Sequence, residues 1–167
     1  EHTTQFAHMP AGVHLKQHYR SPNPALNVSR RNESVATDTI FSDVPAINGG
    51  ETMAQIFVGT DTAVTDVYGM KSKSHFIKTL QDNVRQRGAM HRLLSDRAQE
   101  EISDRVTDYL RAFAIGQWQS EHHHQHQNPA KRRIRTVKRM ANSMLDRSGC
   151  PSSLQAVSSF CEAWVWR

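Results

Sequence analysis

Two aspartates stand where strand-forming sequence ends or turns polar. Asp38 lies inside the β-rich run Val35 to Phe41, and Asp96 follows the short apolar run Met90 to Leu94 and Ser95. Carboxylates at the ends of neighbouring strands are suited to hold hard divalent cations. Phosphodiester transfer needs little else beyond two such cations clamping the attacking and leaving oxygens. The pair alone is a weak signal, because the chain has 16 Asp and Glu and most acidic side chains are solvated. A second cluster is cationic: Lys131, Arg135 and Lys138 recur at i, i+4 and i+7, with Arg132 and Arg139 flanking them. Residues 131 to 147 carry seven Lys or Arg against one Asp, whereas 38 to 130 carry nine basic against twelve acidic residues. The basic character is therefore a local stripe, fitted either to phosphate contact or to solvation of a helix face.

The elements that must position these groups are legible from periodicity. Val35 to Phe41, Thr52 to Val58 and Ala63 to Met70 are short β-rich runs separated by turn residues such as Asn48-Gly49-Gly50 and Gly59-Thr60-Asp61. They predict a three-stranded meander. Phe76, Leu80 and Val84 mark one face of a helix over 74–87 that Gly88 ends, and Met90 to Leu94 predicts a fourth strand. Ala98 to Ala114, with Ile102, Val106, Tyr109, Leu110 and Phe113 on one stripe, predicts a second helix, and Gly116 to Glu121 a short edge strand. Trp118, in that strand, could stack on a base, but an aromatic in an edge strand more often packs in the core. Asn128-Pro129 is a strong helix start, and Ile134, Val137, Ala141 and Met144 give the third helix a side to lay on the sheet. The order βββαβαβα predicts an α/β fold with a mixed five-stranded sheet flanked by helices.

Composition sets the outer bounds. At 167 residues, 37% hydrophobic and 22% charged, the chain fits one soluble domain, expected to be cytoplasmic or nuclear. No apolar run approaches a membrane span. Residues 1–34, broken by Ser21-Pro22-Asn23-Pro24, read as an extended N-terminal arm or linker, 35–151 as the core, and 152–167 as an atypical tail. Cys150 and Cys161 lack the paired spacing of a zinc knuckle, and His122, His123, His124 and His126 lack Cys or carboxylate partners, so that cluster reads as loop composition.

Six segments, in order, carry a resemblance. They are Val35-Ala36-Thr37-Asp38-Thr39-Ile40-Phe41-Ser42, Ala54-Gln55-Ile56-Phe57-Val58-Gly59, Thr65-Asp66-Val67-Tyr68-Gly69-Met70-Lys71, Arg87-Gly88-Ala89-Met90, Leu93-Leu94-Ser95-Asp96 and Gln125-His126-Gln127-Asn128-Pro129-Ala130. Together they resemble the integrase catalytic core of Copia-type LTR retrotransposons, in particular the divergent copies of diatoms and other microalgae, from about residue 3 to residue 151. The resemblance implies a ribonuclease-H-like domain in which an Asp, Asp, Glu triad binds Mg²⁺ or Mn²⁺ to trim DNA ends and join them to target DNA. It also implies retrotransposon-end and target DNA as partners, and it is compatible with a homo-oligomer.

Asp38 matches the first acid of that triad and Asp96 the second, both as metal ligands. The family's Glu falls at position 131, where this chain has Lys131. With Asn128 as the cap, this is the third helical position. A Glu there would complete a capping box and complement the positive end of the helix dipole; Lys does neither. Lys131 near two carboxylates would neutralise part of the charge that holds the cations, and Glu121, before the loop, is the nearest substitute. The resemblance also implies that the helix carrying Arg132, Arg135, Lys138 and Arg139 faces DNA. The expectation is a degenerate integrase core with weakened metal binding and strand transfer lost. The alternative is a non-enzymatic nucleic-acid-binding protein reused by a host. Residues 152–167 depart from the family pattern, and the zinc-binding module that precedes many integrase cores is not seen, so the chain is expected to be a fragment.

Overall fold

The computed structural model describes residues 21–42, 45–46, 49–96, 103–119 and 128–149. They form five strands and three α-helices: β1 (Ser34–Phe41), β2 (Met53–Gly59), β3 (Thr65–Met70), α1 (Phe76–Arg87), β4 (Arg92–Ser95), α2 (Asp104–Ala112), β5 (Gly116–Gln119) and α3 (Pro129–Ser148). The observed order is βββαβαβα, as the periodicity predicts. The spatial order is β3-β2-β1-β4-β5.

Local chemistry explains the mixed pairing. The β2–β3 turn closes tightly, with Gly59 N–H donating to the Val64 carbonyl at 2.9 Å and Ala63 held at φ 55°. As a meander, β1, β2 and β3 pair antiparallel. The next two links carry helices, so β4 returns parallel beside β1 and β5 parallel beside β4. Gly88 ends α1 at φ 88°, and a Cβ there would meet the Ser29 carbonyl oxygen at 2.7 Å. Only glycine admits that approach. It lets Ala89 N–H donate to Ser29 O at 2.8 Å and Arg31 N–H to Ala89 O at 2.9 Å.

Alternation along the strands sends side chains to two apolar clusters. Val35, Phe57 and Leu93 point to one face, where Phe76, Leu80 and Val84 of α1 and Val106 and Leu110 of α2 pack. The Phe57 ring stacks on Phe76 at 6.4 Å and meets Tyr68 edge-on at 5.7 Å. Ala36, Ile40, Ala54, Ile56, Val58 and Val67 point to the other face, where Ala130 and Val137 of α3 bury and Leu94 and Ile134 pack at the margin. Ala141 is also buried, but Met144 is 44% exposed, so the apolar side of α3 is covered over less of its length than its periodicity predicts.

Three other readings change. The fourth strand begins at Arg92, two residues later than expected, because the Arg30–Ala89 bridge is one residue out of register with the Ser34–Arg92 pairing and the ladder is broken between them. The segment before β1 is fastened to the domain. Val28 packs on the first cluster, and the Arg30 guanidinium donates to the carbonyls of Phe113 at 2.7 Å and Ala114 at 2.9 Å. Pro24–Leu26 forms a 3₁₀ turn capped by Asn23. Trp118 is 38% exposed rather than core. The start of the second predicted helix at 98–102, the His122, His123, His124 and His126 cluster, Glu121, Cys150, Cys161, the tail 152–167 and the arm before residue 21 lie outside the described residues. No helix among the described residues is long and apolar enough to cross a membrane.

Candidate active site

Asp38 and Asp96 are brought together by strand pairing. β1 and β4 run parallel with Ala36 opposite Leu94. Continuing that register by two residues sets Asp38 beside Asp96. Both share the parity of Ala36 and Leu94, whose side chains face α3, so both aspartates open toward the start of that helix.

The helix start is fixed by one side chain. Asn128 is 3% exposed; its Oδ1 accepts from Ala130 N–H at 2.9 Å, and its Nδ2 donates to the Thr37 carbonyl at 3.1 Å. The first contact is a helix cap and the second bolts that cap to β1, one residue before Asp38. Pro129 at the first helical position supplies the φ the helix needs. Two residues on, the Lys131 ammonium projects to Asp96, with Nζ 2.7 Å from Oδ2. The pair is neither buried nor free, with side-chain exposures of 30% for Lys131 and 24% for Asp96.

Asp38 is coupled to the same charges. Burial pushes its carboxyl above the ordinary aspartate range. The Thr39 N–H, 2.9 Å from Oδ1, and the Lys131 charge pull it back, while the Asp96 charge pushes it up. On the opposite face of β1 a polar cluster stiffens the strand. Gln55 Nε2 donates to Thr37 Oγ1 at 2.6 Å, Thr39 Oγ1 to Gln55 Oε1 at 2.9 Å, and Thr37 Oγ1 to the Ile56 carbonyl at 2.9 Å. Gln55 is fully buried, and this network was invisible in the sequence except as an amide interrupting the apolar β2 run.

The residues present do not fit a two-cation clamp. Beside the two carboxylates stands a cation, Lys131, whose ammonium is paired with Asp96 Oδ2. A divalent ion approaching Asp96 would meet an ammonium at ion-pair distance. Among the described residues no three or more His, Cys, Asp or Glu side chains are grouped to hold a metal ion.

The basic residues of α3 divide around its axis. Arg133 leans to β3, where its Nε donates to Thr65 Oγ1 at 2.9 Å. Lys131 leans the other way, toward β4, and helical spacing gives Arg135 and Lys138 that same flank. Arg132, Arg135, Lys138 and Arg139 are all exposed.

No family model matches the chain, and no curated protein matches it in sequence. Solved structures match its fold. Against the magnesium complex of the HTLV-2 integrase catalytic core domain the TM-score is 0.58 for the dimeric form, at 13% identity over 78% of this chain and 83% of that one. For the trimeric form it is 0.56, at 15% identity and the same coverage. A chain of the simian T-cell lymphotropic virus intasome in complex with PP2A regulatory subunit B56 gamma matches with TM-score 0.56 and 15% identity, over 78% of this chain and 48% of that one. The domain thus has a ribonuclease-H-like fold, of the kind found in retroviral integrase catalytic cores.

Proposed function

We propose that this chain is a degenerate integrase core of a Copia-type retrotransposon, which keeps a DNA-binding helix and has lost strand transfer. The observation that carries the reading is the ion pair of Lys131 with Asp96 at 2.7 Å. In this reading Asp38 and Asp96 are the two remaining acids of a metal-binding triad, and Lys131 stands in the place of the third. The ammonium supplies a fixed positive charge where mobile divalent cations would sit, so the site can attract a phosphate but cannot polarise an attacking hydroxyl and a leaving oxygen together.

The exposed Arg132, Arg135, Lys138 and Arg139 support nucleic-acid binding beside that site. Contacts of this type are salt-dependent and largely indifferent to base sequence. The test is a strand-transfer assay with labelled DNA ends in Mg²⁺ and in Mn²⁺, run on the chain and on Lys131→Glu. The expected result is background joining by the natural chain. Joining by the natural chain as efficient as that of the Glu variant would end the reading.

A further inference from the structure

The β4–β5 half of the sheet carries an aromatic side chain that the core does not absorb. Trp118 pairs with Leu94 across β4 and β5, and Leu94 packs against the cluster beneath α3. Residues opposite each other in a ladder share a face, so the indole lies on the α3 side of the sheet. It is 38% exposed there. Asp96 directly follows β4, two residues beyond Leu94, and its parity gives it the same face. One strand spacing and two residue rises separate the Trp118 and Asp96 backbones by about 8 Å.

The surroundings decide what such a surface accepts. The α3 flank that turns toward β4 is cationic, marked by Lys131 on Asp96 and shared by Arg135 and Lys138. An apolar protein surface would have to desolvate those charges. A nucleic-acid strand instead offers both complements, phosphates for the cations and a π-face for the indole, and sequence-tolerant base stacking on aromatic side chains beside a basic groove is how single strands are held. A base inside an intact duplex has no free face to offer. We infer that Trp118 is a stacking platform for an unpaired base, so that this domain prefers a frayed or overhanging nucleic-acid end to a blunt duplex. This inference rests on the nucleic-acid reading of α3 proposed above and adds to it a selectivity for end structure.

Fluorescence titration and competition binding test it, using a blunt DNA duplex and the same duplex with a single-stranded overhang. The natural chain is expected to bind the overhang more tightly and to lose tryptophan emission as it does so. Trp118→Ala should lower overhang affinity by roughly 5- to 100-fold for one stacked base, with blunt-duplex affinity and its salt slope unchanged. Trp118→Phe should retain much of the overhang preference but not the quenching, which separates Trp118 from Trp164 and Trp166. Equal binding of both DNAs by the natural chain, or quenching that persists in Trp118→Phe, overturns the stacking role while leaving the α3 reading standing. Binding to neither DNA overturns both.

Discussion

The amide nitrogen of Asn128 donates to the carbonyl of Thr37 across 91 residues of chain, while its oxygen caps α3 through Ala130. One buried side chain thus joins the helix that presents Lys131 to the strand that presents Asp38. Asn128→Ala removes the cap and leaves a buried carbonyl without its donor, and we expect a loss of about 2–3 kcal/mol in urea unfolding. Asn128→Asp keeps an acceptor for the cap but turns a carboxylate toward Thr37 O, so it too should destabilise. Wild-type stability in both variants would remove Asn128 from this role.

A second anchor holds β3 to α1. The Arg87 guanidinium meets Asp66 at 2.6 Å, and Asn83 Nδ2, 3.3 Å from the other carboxylate oxygen, ties the pair to Arg31 through a 2.7 Å bond. The Asp66 side chain is 9% exposed and that of Arg87 39%. Removing the buried acid strands the amide and an adjacent guanidinium. Because Arg87 can still reach water, Asp66→Ala should cost about 2–3 kcal/mol, below the range for a fully buried pair. A change under half a kilocalorie in chemical denaturation, on the order of a surface substitution, would contradict this.

The same packing sets an alkaline limit. Burial and the Asp66 charge raise the Tyr68 phenol to about 12. In the unfolded chain it ionises near the ordinary tyrosine value, about 10, so between these values the unfolded state binds fewer protons than the native state. The contribution is complete below pH 10 and fades as pH rises toward 12. Melting temperature should therefore fall across this window, and fall less steeply in Tyr68→Phe. Equal slopes for the two chains would show that Tyr68 is not the group involved.

The basic flank has a quantitative signature. Neutralising Arg135, Lys138 and Arg139 together should weaken duplex binding and reduce the slope of log affinity against log salt by roughly 2 to 3, about 0.9 for each lost phosphate contact. An unchanged slope would assign the stripe to solubility.

Sequence periodicity reached most of the fold because the strands and helices here obey simple alternation. Val35 and Ala36 bury on opposite faces, and Phe76, Leu80 and Val84 repeat on one helical stripe. It failed where contacts are long-range. Nothing local announces that Arg30 will hold the end of α2 or that Ala89 will pair with Arg30 one residue out of register with the ladder that follows. For Trp118 the commoner outcome, core packing, does not hold, because β5 lies at the sheet edge and leaves the indole partly exposed. At the site, the nearness of Asp38, Asp96 and Lys131 was legible only through the order of elements, and the hydrogen bond from Asn128 to Thr37 that enforces it was not.

In the proposed reading, Lys131 occupies the position from which a carboxylate would complete a divalent-cation site with Asp38 and Asp96. Substituting Glu changes the local charge by two units and restores an acid at the start of α3, where the helix dipole favours it. Isothermal titration calorimetry with Mg²⁺ on the natural chain and on Lys131→Glu reads this directly. The natural chain should bind one ion at most, weakly, and the variant should bind measurably more tightly. Two Mg²⁺ ions bound by the natural chain, with no gain on substitution, would contradict it.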